Sequence, residues 1–226
     1  MKFTNGQHIF IKTIMVLLFP VMLTAAETLD DESWLDDDSA WRALQVNEGR
    51  LKFIAPIHDQ SILHSDTHLW ITSESMQTGW VKLQQCYRHL DAVGRTDVVY
   101  AYREMKNLQV TRVEQIAQIR VKQNGVELEQ VQKGAVLCVQ ADVKILHHLA
   151  DKIYGMQNGP YHRKFLDGYY PYHVSLMVHY SNNEIQLKRV MPQAQYGFNV
   201  TEKSGGLSID SWFEGELRIG IELLEK

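Results

Sequence analysis

Cysteine is scarce in this 226-residue chain: there are two, Cys86 and Cys138. They stand far apart, so no C-x-x-C redox or zinc motif exists. Also missing are the G-x-S-x-G nucleophile elbow, the P-loop, the G-x-G-x-x-G dinucleotide turn and the H-E-x-x-H zinc helix. The familiar nucleotide-binding and hydrolytic signatures are therefore excluded, and nothing in the sequence calls for a cofactor. There is no excess of positive charge either. The formal net charge is −4, and no basic patch points to nucleic acid or anionic lipid as a partner. No apolar run approaches the roughly 20 residues that a transmembrane helix needs.

The longest apolar run, Ile14 to Leu23, has a different meaning. Lys2 and Lys12 precede it and Thr24-Ala25-Ala26 follows it. A basic start, a short apolar core and small residues at a cleavage point are the layout of a secretory signal peptide over residues 1–26. The expectation is an exported protein, periplasmic or secreted, with no transmembrane segment in the mature chain, which begins near Glu27.

Without Lys2 and Lys12, 21 of the 23 basic residues remain against 27 acidic ones. Seven of those acids lie between Glu27 and Asp38, and the rest of the chain is nearly neutral. Residues 27–45 read as a solvated acidic arm, pinned at intervals by Trp34, Leu35, Trp41 and Leu44. The arm lacks the glycine and spacing of an EF-hand loop.

From residue 46 onward the pattern is that of strands. Alternation marks Gly79 to Leu90, His173 to Tyr180 and the terminal Leu217, Ile219, Ile221 and Leu223. Asn124-Gly125 predicts a two-residue hairpin turn with Val121 opposite Leu128. About a dozen short strands without βαβ alternation imply a mainly β protein, an antiparallel two-layer sandwich over 46–226. A boundary at 142–168 would divide it into two small β subdomains. One helix is expected, capped by Asp142 and running to Tyr154, on the spacing of Val143, Leu146, Leu149, Ala150 and Ile153.

Export changes the reading of the cysteines. In an oxidising compartment Cys86 and Cys138 are expected to pair. The bridge would close a loop of about 53 residues, worth roughly 4 kcal/mol in the chain-entropy account. A reactive thiolate at Cys86 beside His89 is disfavoured, because on a strand those two side chains point to opposite faces.

Two constellations remain as candidate sites. The first is Asn158 to Tyr172, where Tyr161, Tyr169, Tyr170 and Tyr172 lie beside Arg163, Lys164 and Asp167. Aromatic faces with adjacent charges suit a protein or glycan of the cell envelope. The second is histidine-based. His173, Met177 and His179 share one face of a strand, and imidazole with thioether suits copper. His173 and His179 stand about 20 Å apart along an extended strand, so only Met177 and His179 can share an ion, with a third ligand supplied from elsewhere. The leading expectation is a non-catalytic binding or assembly module of the cell envelope, and the alternative is a histidine-based metal-binding protein or metal-dependent enzyme.

Overall fold

The computed structural model describes residues 49–58 and 62–226. The expected signal peptide at 1–26 and the acidic arm at 27–45 lie outside the described residues.

Among the described residues fifteen strands and one helix follow in chain order: β1 Lys52–Phe53, β2 His64–Trp70, α1 Ser73–Thr78, β3 Trp80–Leu90, β4 Val93–Val99, β5 Met105–Lys122, β6 Gly125–Lys144, β7 His147–Ala150, β8 Ile153–Tyr161, β9 Lys164–Phe165, β10 Gly168–Tyr169, β11 Tyr172–His179, β12 Ile185–Met191, β13 Phe198–Lys203, β14 Gly206–Glu214 and β15 Leu217–Glu225. Nine of these strands build one sheet in the order β1-β14-β11-β2-β3-β6-β4, with β13 also on β14 and β5 also on β6. A four-stranded sheet runs β12-β15-β8-β7, and β9 with β10 forms a separate hairpin. All pairings are antiparallel except that of β2 with β11. Strands from before and after residues 142–168 thus meet within the larger sheet.

The period-2 alternation explains why the two sheets face each other. In β2, Ser65, Thr67 and Leu69 are buried while His64, Asp66, His68 and Trp70 remain half-exposed. In β11, Tyr172, Val174, Leu176 and Val178 point inward, as do Leu217, Ile219, Ile221 and Leu223 in β15. Buried side chains from both sheets belong to one continuous apolar core, joining Leu83, Leu137, Leu176, Ile209 and Phe213 to Met156, Ile219 and Ile221. Each such side chain stabilises the fold by about 1.5–3 kcal/mol relative to its exposed state. The result is a mainly β, sandwich-like architecture.

The expected helix over 142–154 does not form. Residues 142–144 complete β6, and the remainder becomes β7 and β8 around a turn at Asp151-Lys152, where Lys152 takes φ 56°. Asp142 does not cap a helix: its carboxylate accepts a hydrogen bond from Asn107 Nδ2 at 2.6 Å. The apolar residues whose spacing looked helical are shared between strands. Val143 and Leu146 enter the core, while Leu149 stays on the surface. Sheet pairing outweighs a weak local helical preference.

Among the described residues the helix is α1. Thr72 caps it, accepting from the Ser75 amide at 3.3 Å while Ser75 Oγ accepts from the Thr72 amide at 3.1 Å. Gly79 ends it in the left-handed conformation, φ 79°. Six residues are too few for a periodic signal.

The β5–β6 hairpin is present, but two residues out of the expected register. Val121 pairs with Val126, and Ile119 with Leu128. The turn is Gln123-Asn124, and Gly125 is already in the strand. There it faces Val99 of β4, so closely that a Cβ on residue 125 would stand 2.5 Å from the Val98 carbonyl oxygen. The glycine answers to that neighbouring strand and not to the turn.

Cys86 and Cys138 stand directly opposite each other on β3 and β6 and are bonded, with a Cα–Cα distance of 4.0 Å. Among the described residues no helix is long and apolar enough to cross a membrane.

Candidate functional site

Between the end of β3, the strand β4, the link after it and the end of β8 lies a cleft of about 380 Å³. Its lining includes five tyrosines: Tyr87, Tyr100, Tyr102, Tyr161 and Tyr172. Burial raises the pKa of every one of these phenols, so all stay neutral and able to donate. Some hydroxyls are satisfied within the protein. Tyr87 donates to Gln85 Oε1 at 3.0 Å, and the Gln85 amide donates to Ser65 Oγ at 2.7 Å. Tyr102 donates to Asn158 Oδ1 at 2.7 Å, where the Gly159 amide also donates at 2.9 Å.

Three polar atoms at this cleft are not satisfied. Tyr100 Oη, Tyr161 Oη and Asn158 Nδ2 are buried without a hydrogen-bond partner. Tyr87 lies beside the first and Thr67 beside the second, but neither reaches hydrogen-bonding geometry. An unmet buried donor costs about 1–3 kcal/mol, and here three of them border one cavity.

Arg163, Asp91 and Asp97 at the rim are already engaged. Arg163 grips Asp91 with two hydrogen bonds, Nε to Oδ2 at 2.9 Å and Nη2 to Oδ1 at 2.6 Å, and reaches the Pro171 carbonyl at 3.3 Å. Asp97 accepts from Lys122 at 2.7 Å. The cleft therefore presents neutral donors and aromatic walls, with the Lys164 ammonium at its edge against the Tyr169 ring.

The predicted aromatic-basic segment divides in two here. Tyr161, Arg163, Lys164 and Tyr172 border the cleft. Asp167, Tyr169 and Tyr170 do not; they belong to the β9–β10 hairpin and the residue after it. There the Tyr170 hydroxyl donates to the Asp167 carboxylate, the Tyr170 ring meets Phe165 edge-on at 5.4 Å, and Lys164 lies 5.3 Å from the Tyr169 ring. Leu166 at the hairpin tip is fully exposed. Sequence reasoning missed Tyr87, Tyr100 and Tyr102, and read Asn158 only as the start of the segment. The Tyr100-x-Tyr102 spacing just after β4 was the one available signal, and it carries no information on which strand it will meet.

The histidines lie elsewhere, on the outward face of the larger sheet, where β11 runs parallel to β2 with His173 beside His64 and Met177 beside His68. His173 Nε2 bonds Asp210 Oδ2 at 2.7 Å, and its ring is stacked between His64 and Trp212 at 4.1 Å each. His179 instead meets His68, with Nε2 2.9 Å from His68 Nδ1, beneath Trp70 at 4.9 Å. His173 and His179, two of the three metal candidates of β11, are thus in separate clusters, with Met177 beside His68. Among the described residues no group of three or more His, Cys, Asp or Glu side chains converges on one point.

Ser175 donates to Asp210 at 3.0 Å, so it accepts from His64 Nε2 at 2.9 Å. This is not a nucleophile relay. In such a relay the carboxylate orients the imidazole and the imidazole takes the serine proton, whereas Asp210 here takes the Ser175 proton directly.

A larger, open groove of about 580 Å³ lies on the smaller sheet, over Gly155 and Gly220 and walled by Leu149, Met191 and Ile221. It is more apolar, but no unmet buried donor borders it. The tyrosine cleft is the better binding candidate because specificity comes from convergent polar groups within an apolar wall.

No protein family profile matches this chain, and no curated protein sequence does. Solved structures similar to it include a zinc metallopeptidase of the M1 class from Deinococcus radiodurans bound to a Tyr-Ser-Ala substrate. It is 11% identical with a TM-score of 0.38, covering 72% of this chain and 42% of its own. A two-domain M1 zinc metallopeptidase bound to L-arginine is similar at 11% identity and TM-score 0.39, covering 79% of this chain and 43% of its own. This chain spans less than half the length of those structures, and no function is drawn from a likeness at that level.

Proposed function

We propose that this chain is a non-catalytic binding module of the cell envelope, which captures a neutral, oxygen-rich ligand, a glycan unit, in the tyrosine cleft. The observation that carries this reading is that Tyr100, Tyr161 and Asn158, which line one cavity, each hold a buried and unpartnered polar atom, Oη, Oη and Nδ2. Each can donate to a hydroxyl or ring oxygen, and the aromatic walls supply apolar contact at little entropic cost. Arg163 and Asp91 satisfy each other, and Lys164 at the edge lies against the Tyr169 ring. Export is supported by the signal-peptide layout of residues 1–26 and by the Cys86–Cys138 bond, which an oxidising compartment maintains.

The test is titration calorimetry of the protein against a panel of neutral envelope glycans, repeated with the Tyr100→Phe/Tyr161→Phe double variant. Removing two unmet hydroxyls leaves the melting temperature of the free protein unchanged or slightly higher. Glycan affinity is expected to fall at least tenfold. A panel without a single binder, or a double variant that binds as tightly as the parent, overturns the reading.

A further inference from the structure

The pairing of His68 with His179 goes beyond the cleft and belongs to a different face. We infer that His68 Nδ1 and His179 Nε2 form a copper-binding pair on the outer face of the larger sheet. The sequence places Met177 and His179 together on β11 and leaves the further ligand unspecified. The structure supplies it from β2, a strand more than a hundred residues earlier, because β2 and β11 run parallel with Met177 beside His68.

Three features of the pair match a metal site. The first is spacing: the two nitrogens are 2.9 Å apart. Two imidazole nitrogens bound at about 2.05 Å and at right angles, as in tetragonal Cu(II), stand about 2.9 Å from each other. A tetrahedral ion would need about 3.3 Å. The second is the tautomer. His68 Nε2 faces Asp66 Oδ1 at 3.4 Å, two residues back on the same strand face. A carboxylate on that side of the ring favours the proton on Nε2 and the Nδ1 lone pair toward His179, as carboxylates do behind metal-bound histidines. The third is shelter and access: Trp70 covers the His179 ring at 4.9 Å, while the His68 side chain keeps 36% of its surface exposed, so an ion can enter from solvent.

In the metal-free protein a single proton bridges the two nitrogens. Binding moves that proton to His179 Nδ1, which frees Nε2 for the ion and keeps both imidazoles neutral, and each ring turns slightly off the N···N line to face it. Solvent completes the coordination, and Met177 is the neighbouring thioether on the same face.

Cu(II) added as its chloride to the whole protein, followed by calorimetry and electron paramagnetic resonance, tests the assignment. One ion per chain with a two-nitrogen signature is expected. His68→Ala and His179→Ala should each weaken binding at least tenfold, and Asp66→Asn by a smaller factor. His173→Ala, whose ring is committed to Asp210, should leave binding unchanged. If either alanine variant loses its cooperative melt, glutamine at that position removes the imidazole and keeps the side chain polar. Absence of Cu(II) binding, loss through only one histidine of the pair or neither, or equal loss through His173→Ala overturns the inference.

Discussion

At the scale of single residues, the chain is governed by what stands opposite each side chain. Gly125 is the clearest case. Asn124-Gly125 looks like turn chemistry, yet the glycine is required because the β4 backbone passes where a Cβ would be, 2.5 Å from the Val98 oxygen. Gly125→Ala is expected to destabilise the protein by about 1–3 kcal/mol through overpacking, read as a lower urea midpoint with an unchanged slope. Gly94, whose Cβ would meet nothing within 4 Å, is the matched control, and its alanine variant should cost less than about 1 kcal/mol. Tyr161 and Tyr172 show the same principle. The sequence offered them as aromatic binding faces; the structure buries both residues, to 6% and 3% exposure, the Tyr161 hydroxyl included.

At the scale of elements, strand alternation was readable and pairing was not. The inward residues of β11 and β15 follow directly from the sequence, because a strand facing one core must alternate. The segment 142–154 failed for a related reason. Two short strands joined by a turn can imitate helical spacing, and only the partners of β8 on β15 decide between them. The disulfide also belongs to this scale, since it ties β3 to β6 at a directly opposed pair. Replacing both cysteines by alanine is expected to cost about 2–4 kcal/mol, measured as a fall in denaturation midpoint that reducing agent reproduces in the parent and does not deepen in the variant. The copper-binding pair depends on the parallel β2–β11 pairing, so disrupting that register would separate its ligands even with both histidines intact.

At the scale of the whole molecule, the outer histidine face makes global stability depend on pH. Burial, reinforced by the neighbouring His173, lowers the pKa of His64 from 6.5 to about 4. Between those values the unfolded chain takes up a proton that the folded chain refuses. Stability is therefore full above pH 6.5, falls as the pH drops toward 4, and levels off below that. His64 is only partly buried, so solvent screening reduces the effect to about 1–2 kcal/mol, or several degrees in melting temperature. Melting curves from pH 7 to 4.5 should show this decline, and His64→Gln should flatten it. An equal decline in the variant would assign the effect to other groups.

The sequence by itself determined the class of the protein: strand-rich, with one buried face per strand and two cysteines suited to a bond. These are local properties, set by a two-residue period and by residue chemistry, and they need no knowledge of partners. Tertiary structure alone decided which strands are neighbours, and with them every candidate site. Tyr100 and Tyr161 reach the same cleft, and His68 meets His179, across separations of about 60 and 111 residues. The free energy that selects such neighbours comes from burying a shared core, which is a property of the assembled sheets and not of any stretch of chain.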